Sequence, residues 1–219
     1  MIRLAIFDCD GTLVDSQANI CAVMEECFTA AGLPAPLRER TRRVVGLSLV
    51  EAMHALLPEA EPALHRRLAE NYKTAFQRMR ARGDVEEPLY DGITELLDSL
   101  EADGWLLGVA TGKSDRGLGL CLDCHGLGRR FVTLQTADRH PSKPHPSMIE
   151  QALRDAGAEA ANGMMIGDTS FDMAMAKAAG VIAIGVAWGY HSCEELIAAG
   201  ADFVAEHPRD VAEYMKAPA

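Results

Sequence analysis

Positive charge is scarce in this chain: 21 Lys and Arg stand against 32 Asp and Glu, a formal net charge of -11. That balance excludes the broad basic surface that nucleic acid or an anionic membrane needs, so neither is expected as a partner. Long hydrophobic runs are also missing. The longest late one, Val181 to Trp188, is far below the roughly 18–20 residues that span a bilayer. The first apolar run is cut by Asp8 and Asp10 and lacks the layout of a secretory signal, so a cytoplasmic protein is expected. There is no internal repeat and no low-complexity tract. Cysteines are present but without a framework: Cys9, Cys21, Cys27, Cys121, Cys124 and Cys193 are expected to be reduced and mostly buried. Cys121-Leu122-Asp123-Cys124-His125 matches C-x-x-C-H, yet no second Cys/His pair completes a zinc site and no strand opens a redox motif there. Ordinary helix residues are expected.

What is present is an ordinary globular mixture, 48% hydrophobic and 24% charged, in a chain long enough for one larger domain or two small ones. Its most telling stretch is Leu4-Ala5-Ile6-Phe7-Asp8-Cys9-Asp10-Gly11-Thr12. Four apolar residues form a short buried strand, and two carboxylates follow one residue apart. In an extended backbone Asp8 and Asp10 project to the same side. Gly11 permits a tight turn and lets a backbone N–H approach an anion. Crowded carboxylates repel unless a proton or a cation lies between them, which makes this loop a candidate metal or catalytic site rather than a surface turn.

Beyond the first loop, residues 16–83 carry a helical pattern. Ile20, Val23, Met24, Cys27, Phe28 and Ala31 share a face, and Gly32 is placed to end that helix. Ser48-Leu49-Val50-Glu51 has the form of a capping box opening a helix that Pro58 stops. Pro62 suits the first turn of a longer helix ending at Gly83. From about residue 90 strands and helices alternate, with strands at 106–110, 131–134, 164–166, 181–186 and weakly at 203–204. Apolar strands between helices indicate a parallel sheet covered on both faces. The expected architecture is therefore an α/β core, residues 1–15 and 88–219, with a helical cap, residues 16–87, inserted after the first strand.

Ligands of open α/β sheets bind beyond the carboxyl ends of the strands. Those ends deliver Asp8 and Asp10, then Thr111-Gly112-Lys113-Ser114, then Lys143 in a polar loop, then Asp168 with Asp172 four residues on. The set suits phosphoryl transfer: a carboxylate can attack phosphorus, a hard cation neutralises shared charge, and hydroxyl, lysine and backbone N–H groups hold the equatorial oxygens.

On these residues the chain resembles the haloacid dehalogenase-like hydrolase superfamily, most closely its phosphoglycolate phosphatase-like branch. The first motif, Asp8 to Ser16, is highly specific, and the other three follow in order. The resemblance implies a parallel-sheet, Rossmann-like core and a Mg2+-dependent phosphatase working through an aspartyl-phosphate. By the same resemblance Asp8 is the nucleophile and a Mg2+ ligand, and Asp10 is the general acid/base, binding the metal through its carbonyl. Thr111 and the Gly112 N–H bind phosphate, Lys143 steadies nucleophile and phosphate, Asp168 ligates Mg2+, and Asp172 acts from behind the ligands. Asp172 also fits a capping box with Thr169, and Thr111 fits a helix cap.

Departures from relatives narrow the reaction. Asp10 stands where the dehalogenases carry Tyr and the phosphonate hydrolases a small residue. Leu49 stands where similar sugar-phosphate mutases place an arginine, which makes mutase activity the weaker reading. The substrate implied is a small phosphorylated metabolite, phosphoglycolate first, with pyrophosphate and sugar phosphates as alternatives, in a monomer or small homo-oligomer. Two further readings compete. Gly108 to Ser114 approaches a Walker loop but has three residues between its glycines instead of four. A phospho-acceptor signalling domain would use similar residues, without a large helical insertion. Arg42 and Arg43 are either solvated or reach a substrate carboxylate from the cap, and His145, between prolines, is expected to be structural.

Overall fold

The computed structural model describes residues 1–216; positions 217–219, the end of the expected core segment, lie outside the described residues. β1 (Arg3–Phe7) is followed by four helices: α1 (Gln17–Ala30), α2 (Arg38–Arg42), α3 (Leu49–Leu56) and α4 (Pro62–Ala81). Alternation then sets in with α5 (Ile93–Ala102), β2 (Trp105–Thr111), α6 (Asp115–Cys124), β3 (Phe131–Thr136) and α7 (Ser147–Ala156). It continues through β4 (Gly163–Gly167), α8 (Ser170–Ala179), β5 (Ile182–Val186), α9 (Cys193–Ala198), β6 (Phe203–Ala205) and α10 (Pro208–Lys216).

The six strands form one parallel sheet in the order β3-β2-β1-β4-β5-β6, a Rossmann-like α/β arrangement. β1 shows why. Its odd residues Ala5 and Phe7 pack with Ile93 and Leu97 of α5 and Leu118 of α6, while Leu4 and Ile6 pack with Ile149 of α7 and Met173 of α8. A strand buried on both faces needs an unbroken apolar run, and it has one. All four residues are fully buried, and Leu4, Ile6 and Phe7 each stabilise the fold by about 1.5–3 kcal/mol relative to exposure.

The strand order reverses between β1 and β4, the switch point where crevices open beyond the strand ends. Phe7 pairs with both Val109 and Ile166, so the chain delivers Asp8 there with Thr111 on one flank and Asp168 on the other. The Asp8 N–H donates to Ile166 O at 2.9 Å, which extends the pairing one residue past the strand.

Helices α1, α3 and α4 close on a core of their own, Phe28 and Met24 meeting Met53, Leu56, Leu68 and Tyr72. The two crossings between this bundle and the sheet are tied together: Asp15 N–H donates to Pro88 O (2.8 Å) and Tyr90 N–H to Leu13 O (3.1 Å). One helix, α10, has no forerunner in the sequence pattern; its apolar anchors Val211 and Met215 are too few to show a period, and α2, within the helical stretch 16–83, has only five residues and no face of its own. The capping box expected at Ser48 does not form; the side chain makes no cap hydrogen bond, and the Ser48 N–H donates to Ser142 Oγ of the α/β core at 2.8 Å. Cys121 and Cys124 are residues of α6, and Cys9 packs toward Cys121 with sulfurs 3.9 Å apart, away from the site.

Candidate active site

Three carboxylates gather at the switch point. Asp8, Asp168 and Asp172 are fully buried and can each offer an oxygen within 4.8 Å of the others. Lys143 is the ammonium set among them. It reaches Asp172 Oδ1 at 2.6 Å and Asp8 Oδ2 at 2.9 Å, and it is 2% exposed, in the loop between β3 and α7. Burial opposes its charge, but Asp172 and Asp8 outweigh burial and hold it above the ordinary lysine range.

Three negative groups against one positive leave the cluster short of cation. The shortage shows in the acids themselves. Burial pushes the Asp8 carboxyl up to about 7, against the pull of Lys143, with the charges of Asp172 and Asp10 adding to the rise. Burial and then the charges of Asp8 and Asp172 also push Asp168 up, opposed by bonds from Thr12 and Tyr190. Asp8 Oδ1 accepts the Cys9 N–H at 2.6 Å, and Asp8 Oδ2 has the Lys143 ammonium at 2.9 Å, which it shares with Asp172. Three buried carboxylates around one ammonium, a hard all-oxygen set, fit a divalent cation such as Mg2+.

Asp168 is held for such a role. Thr12 Oγ1 donates to its Oδ1 at 2.8 Å and the Tyr190 N–H to its Oδ2 at 3.0 Å. The loops that carry these donors fit only because they contain glycine. A Cβ on Gly11, whose φ is +85°, or on Gly189 would lie 2.2 Å from Asp168 atoms. Asp172 does both things expected of it: its Oδ2 accepts the Thr169 N–H (3.1 Å) and Oγ1 (2.7 Å) in a capping box for α8, while its Oδ1 holds Lys143. Its oxygens are thereby engaged, and it acts as the anchor that places the ammonium.

Asp10 lines the same cleft as Asp8 but belongs to a second group. Its Oδ1 accepts from Ser16 Oγ and from Lys113 Nζ, the latter at 2.5 Å. Lys113 continues to Glu87 Oε1 at 2.9 Å, and Glu87 Oε2 binds Arg80 of α4 at 2.9 Å. Ser16, Glu87 and Lys113 are absent from the site that the sequence suggested. The Walker-like spacing drew notice to Lys113, but its partners are 103 and 26 residues away and left no local signal.

Thr111, the last residue of β2, and Gly112 line the cleft, and Thr111 is 1% exposed. Thr111 is not the cap of α6: Ser114 Oγ takes that place, accepting the Gly117 N–H at 3.1 Å. Thr111 Oγ1 accepts the Lys113 N–H at 3.2 Å, and a hydroxyl keeps its own proton to donate. Arg43 pairs with Glu195 of α9, and neither it nor Arg42 lines the cleft. His145 Nδ1 accepts the Ser147 N–H at 3.2 Å at the start of α7, a structural use.

A sequence model for the haloacid dehalogenase-like hydrolases matches residues 5–186. The protein named Probable phosphatase IndB of Dickeya dadantii is 36% identical over 91% of this chain and 87% of its own length. A phosphoglycolate phosphatase of Vibrio parahaemolyticus is 28% identical over 97% of this chain and 95% of its own. Among solved structures, a hydrolase from Pseudomonas syringae superposes with a TM-score of 0.86 at 27% identity, covering 98% of each chain.

Proposed function

The chain belongs to the haloacid dehalogenase-like hydrolases and is a phosphatase, and from that premise we propose that it is a Mg2+-dependent enzyme cleaving phosphate monoesters through a phosphorylated Asp8. One observation carries the proposal: Asp8 lines the cleft within a cluster of three buried carboxylates, Asp8, Asp168 and Asp172, that has a single buried ammonium, Lys143, set against it.

Asp8 and Asp168 would hold Mg2+, which when bound supplies positive charge to the nucleophile and the phosphoryl oxygens. The chain's own residues do the rest. A carboxylate oxygen of Asp8 attacks phosphorus; the new P–O bond forms as the bond to the leaving alkoxide breaks. Asp10 gives that alkoxide its proton, then takes a proton from water, which attacks the phospho-carboxylate and releases phosphate. Lys143, fixed by Asp172, keeps positive charge beside Asp8 throughout. The Thr111 hydroxyl and the Gly112 N–H meet the equatorial oxygens. Residues 16–87 act as a cap that closes on the core and excludes water. Ser48 and Ser142 hold the two parts together in that state.

The test separates the two half-reactions. With 4-nitrophenyl phosphate, whose leaving group needs no proton, Asp10→Asn is expected to release one burst of nitrophenolate per enzyme and then stall. Asp8→Asn is expected to give no burst. A burst in both variants would place the nucleophile elsewhere. Phosphoglycolate, from the names of relatives, is the first natural ester to assay.

A further inference from the structure

The cleft beyond Asp8 and Asp10 is a cavity of about 540 Å3 between the helical bundle and the sheet edge. That volume falls in the range that buries a ligand of many heavy atoms. A two-carbon acid esterified with phosphate would leave most of it to water. Its walls on the bundle side are apolar: Met24, Val44, Val45, Leu49, Tyr72 and Phe76 face it, the last two as a tilted ring pair with centroids 6.0 Å apart.

Cations for a second anionic group are already committed. Of those lining the cavity, Arg80 pairs with Glu87 and Lys113 with Asp10 and Glu87, while Lys73, 41% exposed beside Glu70, is screened by water and salt. Arg116 remains, exposed on α6 at the rim, where water and salt screen it. A carboxylate drawn in from water would lose its hydration against an apolar wall. Thr41 Oγ1 is buried out of reach of the cavity, and Gln77, the other polar side chain of that wall without a charge, is exposed.

Resting on the phosphatase reading, we infer that the preferred substrate is a phosphate monoester whose alcohol carries an uncharged, largely apolar ring-sized body. Phosphoglycolate is then a poor substrate. The phosphate binds at Asp8, Thr111 and Lys143, and the body fills the space between Tyr72, Phe76 and Leu49. Burial of that body supplies the selectivity, and the cap wall supplies the burial.

The experiment compares kcat/KM for 2-phenylethyl phosphate and 2-phosphoglycolate, both esters of primary alcohols, with Mg2+ present. The aromatic ester is expected to be favoured by at least about tenfold, since differences of this size follow from filling or leaving empty an apolar pocket. Leu49→Arg, which sets a cation in the wall at a half-buried position, is expected to erase most of that preference. If phosphoglycolate is preferred and Arg116→Ala abolishes the preference, the cleft is built for an anion and this inference falls while the phosphatase stands. Phosphate released from neither ester would overturn the phosphatase reading together with it.

Discussion

The Lys113 ammonium lies 2.5 Å from Asp10 Oδ1, and the same nitrogen joins Asp10 to Glu87, whose other oxygen holds Arg80 at the end of a cap helix. The group proposed to move protons is thus wired to the bundle that lines the other side of the cleft. Side-chain exposures of 10%, 11% and 5% for Lys113, Asp10 and Glu87 place the ions nearly out of water. Removing the shared cation would leave two carboxylates facing each other, a change that in buried networks costs about 3–5 kcal/mol. Lys113→Ala is expected to lower both the melting temperature and kcat, the latter by about tenfold or more. Lys113→Arg keeps the charge and should recover most of both. Equal kinetics in all three proteins would show that Asp10 is positioned without this ion pair.

Asp8→Asn removes the attacking charge but keeps the shape. A loss of at least about a thousandfold in kcat is expected, the order seen when a nucleophile is deleted. Stability should change little or rise, because the neutral amide no longer bears the burial penalty that pushes the carboxyl to about 7. A variant that is dead and also unfolded would not fit this account; circular dichroism and melting curves check it.

The core and the acids were legible in the sequence for the same reason. A parallel strand buried on both faces must be apolar until it ends, so a carboxylate straight after such a run marks the sheet's active edge, as Asp8 and Asp168 do. What could not be seen are contacts that local pattern does not encode. Ser48 has every mark of a helix cap, yet its N–H is spent on Ser142, which reaches it only once the bundle folds back over the sheet. Gly189 and Tyr190 follow β5 and brace Asp168 from the neighbouring strand's end, a job visible only when β4 and β5 are side by side. Lys113 was noticed for a phosphate-loop spacing and belongs instead to an ion network with Asp10.

Raised acids at the proposed Mg2+ site make a linked prediction about pH. In metal-free protein the Asp8 carboxyl keeps its proton up to about pH 7, while in the unfolded chain it loses that proton near the ordinary aspartate value of 3.8. Folded protein therefore binds more protons across that window, and this group's stabilising contribution is lost as pH rises through it. Melting in a chelator is expected to fall by roughly 5 °C or more between pH 5 and 8. Mg2+ competes with that proton, so its stabilisation should grow from pH 5 to 7 and level off above. A Mg2+ shift independent of pH would separate the metal from Asp8.

Gly112 carries the clearest test of the cap. A Cβ there would lie 2.7 Å from the carbonyl oxygens of Gly46 and Leu47, and neither backbone oxygen can rotate away as a side chain would. The φ of Gly112 is not among the positive values, so alanine strains nothing within the β2–α6 turn itself. The clash falls wholly between the sheet edge and the bundle. Gly112→Ala is thus expected to fold normally but hold the bundle away from the site. The Ser48 amide, bonded to Ser142 across the same gap, should exchange its hydrogen at least about tenfold faster than in the wild type. Phosphatase turnover should fall with it, because a cap that cannot seat neither excludes water nor brings its wall to the ester. Unchanged exchange at Ser48, with turnover lost, would mean that the new methyl blocks the phosphate at the Gly112 N–H and leaves the cap untouched.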